Sequence, residues 1–323
     1  LDCLLASQEL VGRRQEVGQT RGLAGGESPL IGRAEALETL IKAADTAISG
    51  RGQIVSIIGD SGRGKSRLVR ELKKVINQRE DVDKILWLEG QSLSFTEEVN
   101  YWLIGRILYG TLGLSPDANP DDVLFGLWEK GEEILGRDTA REAIPFLAYV
   151  LDIDLEGEWA GWVAALDPAA RQKQIFWALR EFFKTVAGSR TTVIVLDDLH
   201  WADEASLAVC NDLISITDSA AILFVLVFRE VRDKGVWGLR DRAENTFKHR
   251  YTQIELSPLS NEECEALLAA VLPGAKLDSE TRMNILEKAA GNPFYLEEIV
   301  RALIDGQGVI PDEKKPGQWT VTD

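Results

Sequence analysis

Five apolar runs along the chain have the length of buried β-strands. The third and fourth are uninterrupted and rich in branched aliphatic residues, a pattern typical of parallel strands covered on both faces. Between the first and second runs, apolar residues recur at helical spacing from Leu68 to Ile76, and the order strand, helix, strand indicates a parallel sheet. We therefore predict an α/β fold with a five-stranded parallel sheet, its strands near residues 53–58, 84–89, 192–196, 221–228 and 251–256.

Helical periods fill most of the chain outside these runs. A first helix is predicted over residues 34–48. The long segment between the second and third strands has no convincing strand, so we predict a helical insertion over residues 90–191, with stretches near 98–112, 121–135, 139–151 and 169–187 separated by prolines and turn residues. Beyond Pro258, three stretches near 261–271, 279–290 and 294–304 predict an α-helical subdomain, with Ser260 as a helix cap.

These elements divide the chain into four predicted parts. Glycine-rich residues 1–28 are expected to be a linker, residues 29–257 an α/β core containing the insertion, and residues 258–306 a helical lid subdomain. In residues 307–323, two short apolar segments flank a Lys-Pro-Gly turn, which predicts a hairpin at the start of a truncated following domain. Because the chain begins at Leu1 and its single methionine is Met283, we interpret it as a fragment of a longer protein.

Directly after the first strand, the sequence spells G-x-x-x-x-G-K-S, the pattern of a phosphate-binding loop between a strand and a helix. Glycines let backbone N–H groups converge on an anion, and the following helix adds its positive N-terminal end. Lys65 is expected to reach the β- and γ-phosphates, and the Ser66 hydroxyl to coordinate Mg²⁺. The alternative is a tight glycine turn with no ligand. The candidate phosphate-binding residues are Gly59, Asp60, Ser61, Gly62, Arg63, Gly64, Lys65, Ser66 and Arg67.

Charged residues end two other predicted strands. Asp197 and Asp198 follow the third strand, where the first carboxylate is suited to hold Mg²⁺ and the second to polarise a water nucleophile. Arg229 follows the fourth strand, and because ligands collect at the carboxyl edge of open α/β sheets, it is a candidate sensor of the γ-phosphate. The alternatives are an acidic turn and a solvated arginine. For His200 and Trp201 we expect a packing or switch role rather than catalysis.

Composition narrows the function classes. The 36 Lys and Arg residues against 52 Asp and Glu residues leave a net charge of −16, which disfavours direct contact with nucleic acid. Three widely spaced cysteines indicate neither a disulfide framework nor a zinc site, and this favours a cytoplasmic location. No apolar run is long enough to cross a bilayer, so no membrane association is expected.

Taken together, five motifs resemble the STAND branch of AAA-like ATPases, a family of P-loop NTPases of the ASCE type. The motifs are Ser28-Pro29-Leu30-Ile31-Gly32-Arg33, the phosphate loop, the stretch from Val193 to Asp203, Phe228-Arg229, and Gly291-Asn292-Pro293-Phe294. The resemblance implies ATP and Mg²⁺ as cofactors. It implies that Gly32, Arg33 and Pro293 embrace adenine, that Asp197 serves the metal and Asp198 the water, and that Arg229 is the sensor.

Within that branch, Gly18-Gln19-Thr20-Arg21-Gly22 and Gln91-Ser92-Leu93-Ser94-Phe95 are similar to the ATPase region of bacterial signalling proteins linked to adenylate or guanylate cyclases. This similarity implies a fused cyclase before the chain and a helical-repeat domain after it, with a homo-oligomer as one form of assembly. Arg63 departs from the family because that loop position is usually apolar. The winged-helix domain of many relatives is at most begun here.

Three functions fit these features. The preferred hypothesis is an ATP-binding and slowly hydrolysing regulatory switch, whose ATP and ADP states control conformation and partner domains. A nucleic-acid-associated ATPase, similar to replication initiators or transcription regulators, is the alternative, and a small-molecule kinase is a third reading. GTP is disfavoured because the chain contains no Asn-Lys dipeptide to begin a guanine-reading motif.

Overall fold

A computed structural model describes residues 28–231, 235–312, 315 and 317–321. Of the linker predicted over residues 1–28, all but Ser28 lies outside the described residues. The described chain forms two compact units. The α/β unit spans residues 33–257, and the C-terminal unit combines residues 28–32 with the described residues from 258 onward.

The α/β unit contains a five-stranded sheet in the order β2-β3-β4-β1-β5, with every neighbouring pair parallel. The prediction of a five-stranded parallel sheet is therefore confirmed. All seven residues of β4 are buried, as the uninterrupted apolar run predicts. The strands are β1 (Gln53–Ile58), β2 (Ile85–Gln91), β3 (Thr191–Asp197), β4 (Ile222–Phe228) and β5 (Tyr251–Glu255).

Helices precede, join and cover these strands. In chain order they are α1 (Ala34–Ile48), α2 (Lys65–Asn77), α3 (Trp102–Leu112), α4 (Pro120–Leu135), α5 (Arg137–Val150), α6 (Gly157–Ala165), α7 (Pro168–Ser189), α8 (Glu204–Leu213) and α9 (Val236–Thr246). Three short 3-10 turns cover Val82–Lys84, Leu199–Trp201 and Ile214–Asp218.

Helices α3 to α7 lie between β2 and β3, where the helical insertion was predicted. Two of the prolines that separate the predicted stretches start helices here. Pro120 begins α4 after Asn119, whose side chain accepts a hydrogen bond from the Asp121 N–H, and Pro168 begins α7 after the cap residue Asp167. Helices α3, α4, α5 and α7 contribute to one continuous apolar core with the sheet, in which Phe146 and Phe182 are fully buried.

Three helices, α6, α8 and α9, have no counterpart in the sequence-based prediction. Each is short, with nine to eleven residues. Helix α6 has two glycines and a nearly uniform run of Ala and Trp, so no polar face marks its period. Helix α8 has a recognisable N-cap residue, because the Asp203 side chain accepts a hydrogen bond from the Ser206 N–H.

The C-terminal unit holds α10 (Asn261–Val271), α11 (Ser279–Ala289), α12 (Pro293–Asp305) and the antiparallel strands β6 (Val309–Pro311) and β7 (Trp319–Val321). Ser260 and Glu263 form a reciprocal capping box at the start of α10, in agreement with the predicted cap. The unit has its own apolar core, which includes Leu267 and Leu296 and extends to Trp319 of the hairpin.

Among the described residues, every helix is too short or too polar to cross a bilayer.

Gly90 sets the spacing between β2 and α3, and its replacement tests that packing. A Cβ at Gly90 would lie 2.8 Å from methyl groups of Leu103 and Ile107 of α3. A Cβ at Gly110, which is in α3 itself, would make only an ordinary contact. We expect Gly90→Ala to destabilise the protein by about 1–3 kcal/mol through overpacking. Gly110→Ala should be neutral or stabilising because alanine favours helices. Urea unfolding measures both, and equal midpoints for the two variants would contradict this packing.

Candidate active site

The phosphate-loop sequence forms the turn between β1 and α2. Gly62 and Gly64 have φ angles of 77° and 93°, in the left-handed region that only glycine adopts without strain. Gly64 is the N-cap of α2, and no side chain caps this helix end. A Cβ at Gly59 would lie 3.0 Å from the Leu256 carbonyl oxygen, so the loop also needs glycine for space. The result is a helix N-terminus open to an anion, which fits a phosphate group.

Lys65 lies folded against the loop that precedes it. Its side chain is only 7% exposed, and its Nζ donates hydrogen bonds to the carbonyl oxygens of Gly59 at 2.8 Å and Asp60 at 2.9 Å. Burial lowers the pKa of Lys65, while the charges of Asp198 and Asp197 oppose that effect. The ammonium group therefore lies in the field of both candidate carboxylates.

Asp197, the last residue of β3, contacts the start of α2. Its Oδ2 accepts a hydrogen bond from Ser66 Oγ at 3.0 Å, and its Oδ1 accepts one from the Asp198 N–H at 2.8 Å. Burial, and then the neighbouring charge of Asp198, raise the pKa of Asp197 to about 6. A hydroxyl and a half-buried carboxylate side by side are oxygen ligands suited to Mg²⁺, so the two predicted metal residues fit the ion.

Asp198 is held beside this pair in a strained conformation. Its φ angle of 55° lies in the left-handed region, which is uncommon for a residue with a side chain. Gln91 Nε2 donates a hydrogen bond to Asp198 Oδ2 at 3.1 Å, and His200 Nε2 lies 3.9 Å from Oδ1. The turn thus directs two adjacent carboxylates to different neighbours.

Arg229 follows β4, and the register of β4 with β1 pairs Phe228 with Ile58. The arginine therefore lies level with Gly59, at the beginning of the phosphate loop. Burial, and to a lesser extent the charge of Arg229, lower the pKa of Lys65. The Arg229 Nε is buried and has no hydrogen-bond partner among the described residues. A buried donor without an acceptor fits a site that receives an anion.

The other two arginines of the predicted phosphate-binding set are largely covered from solvent and lie near acidic side chains. Arg63 Nη2 lies 3.8 Å from Asp60 Oδ2, and Arg67 Nη2 lies 2.9 Å from Glu71 Oε1. Ser61 is exposed at the tip of the loop. Roles for these residues toward a phosphate remain predictions.

The residues assigned to adenine are distributed between the two units. In the α/β unit, Arg33 Nη2 donates a 2.6 Å hydrogen bond to the Ser257 carbonyl oxygen, which ties the start of α1 to the end of the sheet. In the C-terminal unit, Gly32 has a φ angle of 69°, and Pro293 is the first residue of α12 after the capping residue Asn292. Their adenine-binding role stays a prediction.

Two residues with clear contacts at the site had no assigned role in the sequence. The predicted β2 ended at residue 89, so Gln91 was not recognised as a strand-end residue. In the structure Gln91 is the last residue of β2, and the same position at the end of β3 identified Asp197. Asp203 is buried, and its Oδ1 accepts hydrogen bonds from the Tyr101 N–H at 2.9 Å and the Ser206 N–H at 2.7 Å. It ties the turn after β3 to the start of α3.

His200 and Trp201, for which a packing or switch role was expected, lie in that same turn. His200 is buried, and its ring centroid lies 5.2 Å from that of Trp201.

Residues 29–226, more than half of the chain, match the family model described as AAA ATPase domain. An uncharacterized protein of Rhizobium meliloti (strain 1021) is 26% identical over 309 residues, which cover 92% of this chain and 27% of that protein. The chain thus spans about a quarter of the length of this curated relative.

Two solved structures share the fold. The Aeropyrum pernix ORC2 protein, solved as ADPNP-ADP complexes, has a TM-score of 0.51 and 12% identity, with 89% of this chain and 66% of that chain covered. Drosophila ORC bound to DNA has a TM-score of 0.51 and 16% identity, with 88% of this chain and 58% of that chain covered. At these identities the likeness shows the fold alone.

The buried charge of Asp197 should cost stability in the absence of metal. The raised pKa means that the folded protein disfavours the carboxylate, so we expect Asp197→Asn to stabilise the metal-free protein by roughly 1–3 kcal/mol near neutral pH. Asn keeps an oxygen for the Asp198 N–H. Asp60→Asn, which removes an exposed carboxylate of the same loop, is the control and should have no effect. Thermal unfolding in a chelator measures both, and a lower Tm for Asp197→Asn would contradict the prediction.

Proposed function

Because this chain belongs to the AAA ATPase domain family, whose members hydrolyse ATP, we propose that it is the nucleotide-dependent regulatory switch of a multidomain signalling protein. The observation that carries the proposal is the cluster around the 3.0 Å hydrogen bond between Ser66 and Asp197. This cluster contains a phosphate cradle, a pair of metal-binding oxygens, a carboxylate for water and two cations. These are the parts that phosphoryl transfer to water requires.

The loop residues would hold the triphosphate of ATP. Backbone N–H groups at the start of α2 offer hydrogen bonds, and Lys65 can exchange its carbonyl acceptors for phosphate oxygens without leaving the loop. Ser66 and Asp197 would hold Mg²⁺, directly or through water. When bound, the ion neutralises charge on the phosphate oxygens.

Asp198 is the residue we assign to the attacking water. Its carboxylate accepts a hydrogen bond from the water and orients its oxygen toward the γ-phosphorus. The new P–O bond forms as the bond to the β,γ-bridging oxygen breaks, so the products are ADP and inorganic phosphate. Gln91 competes with the water for Asp198 Oδ2, which supports a slow intrinsic rate.

A switch needs a contact that differs between the ATP and ADP states. Lys65 and Arg229 supply it in this proposal, because both cations lose an acceptor when the γ-phosphate departs. To move a conformer from mostly off to mostly on, the two nucleotides must differ by about 5 kcal/mol in their preference. Two charge-assisted hydrogen bonds, each about 1.5–3 kcal/mol, are of the required size.

The assignment to a signalling protein rests on the sequence motifs that resemble the ATPase region of cyclase-linked STAND proteins. The chain covers 27% of its Rhizobium meliloti relative, and the remaining length of that relative is sufficient for further domains. We propose a fused cyclase and a helical-repeat domain as partners, with nucleotide-dependent homo-oligomers as the form of assembly. Cys210 and Cys264 are both buried, and neither forms a disulfide bond, which supports a cytoplasmic location.

Two substitutions separate nucleotide binding from turnover. Lys65→Ala should abolish ATP binding because the loop loses its cation. Asp198→Asn should keep ATP affinity within about threefold but reduce turnover by about 10²–10⁴-fold, the usual contribution of a positioned base. Lys73→Ala, which removes an exposed lysine from the same helix, is the matched control. Calorimetric titration with ATP and Mg²⁺ and a phosphate-release assay measure the two properties. If both site variants bind and hydrolyse ATP like the parent, the assignment is wrong.

A nucleic-acid-associated ATPase is the second candidate, because one of the solved structures that share the fold is Drosophila ORC bound to DNA. The net charge of −16 argues against direct contact between this chain and DNA. We expect no retardation of a DNA duplex at 50 mM or 200 mM salt, with or without ATP. Retardation that weakens steeply with salt would instead indicate phosphate contacts and favour the second candidate.

A further inference from the structure

Helix α6 is an apolar helix that leaves part of its apolar surface exposed. Six of its nine residues, Gly157 to Ala165, are Ala, Val or Trp, yet Val163 is the single residue of this helix that is buried. A helix of this composition normally lies inside a core. Here Trp159 is half-buried, and Trp162, Ala164 and Ala165 are exposed, although the Trp162 ring also packs against Phe146 of α5.

Aromatic side chains extend this surface onto α4. The Trp159 ring centroid lies 6.0 Å from that of Trp162 on α6 and 5.7 Å from that of Trp128 on α4. Phe125 precedes Trp128 by three residues, so it lies on the same side of α4. Phe125 is 69% exposed and Trp162 is 38% exposed. Trp128 and Trp159 are half-buried. Exposed aromatics beside partly covered ones are typical of interaction surfaces.

The surroundings of these aromatics are acidic. From Trp102 to Ala165 the chain carries 12 Asp and Glu residues and four Lys and Arg residues, so this fifth of the sequence holds −8 of the net charge of −16. Glu129 and Glu132 follow Phe125 and Trp128 by four residues, on the same side of α4, and Glu158 precedes Trp159 on α6. We call the aromatic-acidic face the set Phe125, Trp128, Glu129, Glu132, Glu158, Trp159 and Trp162.

We propose that the aromatic-acidic face is a docking site for a Lys- and Arg-rich segment of a partner protein that also carries apolar residues. Cationic side chains would form ion pairs with the carboxylates and cation–π contacts with the faces of the tryptophan rings. Apolar residues of the segment would cover Phe125 and α6. A nucleic acid is repelled by the negative charge, and a second copy of this chain would oppose one acidic face to another. The proposal does not depend on the nucleotide chemistry proposed above.

The test uses a labelled 15-residue peptide of alternating Lys, Leu and Arg, titrated with the purified chain and followed by fluorescence anisotropy. A peptide with Glu at every cationic position is the negative probe, and one with Ser at every Leu position separates charge from apolar contact. We expect the cationic apolar peptide to bind with micromolar affinity, weakened by salt, and each of the other two peptides to bind at least about tenfold more weakly.

Matched variants locate the site. Phe125→Ser combined with Trp162→Ser should weaken binding of the cationic apolar peptide at least about tenfold. Phe95→Ser is the control, because Phe95 is 68% exposed but lies outside the aromatic-acidic face. Glu129→Lys with Glu132→Lys should weaken binding to a similar extent without removing an aromatic ring. Urea midpoints equal to the parent's show that each variant is folded.

Three results would overturn the proposal. The first is no binding of the cationic apolar peptide up to 1 mM. The second is equal loss of binding in Phe95→Ser and in the Phe125 and Trp162 variant, which would mean non-specific adsorption. The third is a dimer of the parent, seen by sedimentation, that the Phe125 and Trp162 variant dissociates. In that case the occupant of the face is a second copy of this chain.

Discussion

The hydrogen bond between Ser66 Oγ and Asp197 Oδ2 joins parts of the chain that are 131 positions apart. It depends on the strand order, which places β4 between β1 and β3 and brings the carboxyl ends of all three to one edge. The helix that begins at Lys65 then meets the carboxylate that ends β3. Every role assigned to nucleotide chemistry depends on this contact, because it brings the phosphate loop and the acidic pair together although they are far apart in the sequence.

This arrangement lowers the stability of the folded protein. Burial disfavours the charge on Asp197 and on Lys65, and Asp198 occupies a left-handed backbone conformation. Such costs persist only where the surrounding structure enforces them. Here the enforcement comes from buried strands on both sides and from Gln91 and Asp203, which bind the acidic turn to β2 and to α3. The helical insertion is therefore connected to the site through the turn after β3.

The sheet could be predicted from the sequence because its strands are long apolar runs, and the position of the site followed from the rule that ligands collect at the carboxyl ends of parallel strands. The end of β2 could not be predicted. Gly90 reads as a strand breaker, but the structure needs a glycine there because α3 packs directly on it, and the ladder with β3 continues to Gln91. Gln91 was missed for that reason. Helix α6 was missed because its sequence has no polar face that would mark a helical period.

A crystal structure of this chain with Mg²⁺ and a non-hydrolysable ATP analogue would test the central claim most directly. We expect the triphosphate along residues 59–66, with Lys65 Nζ moved from the Gly59 and Asp60 carbonyls to the phosphates and the metal beside Ser66 and Asp197. A triphosphate bound away from this loop, or a metal that contacts neither Ser66 nor the water shell of Asp197, would contradict the account.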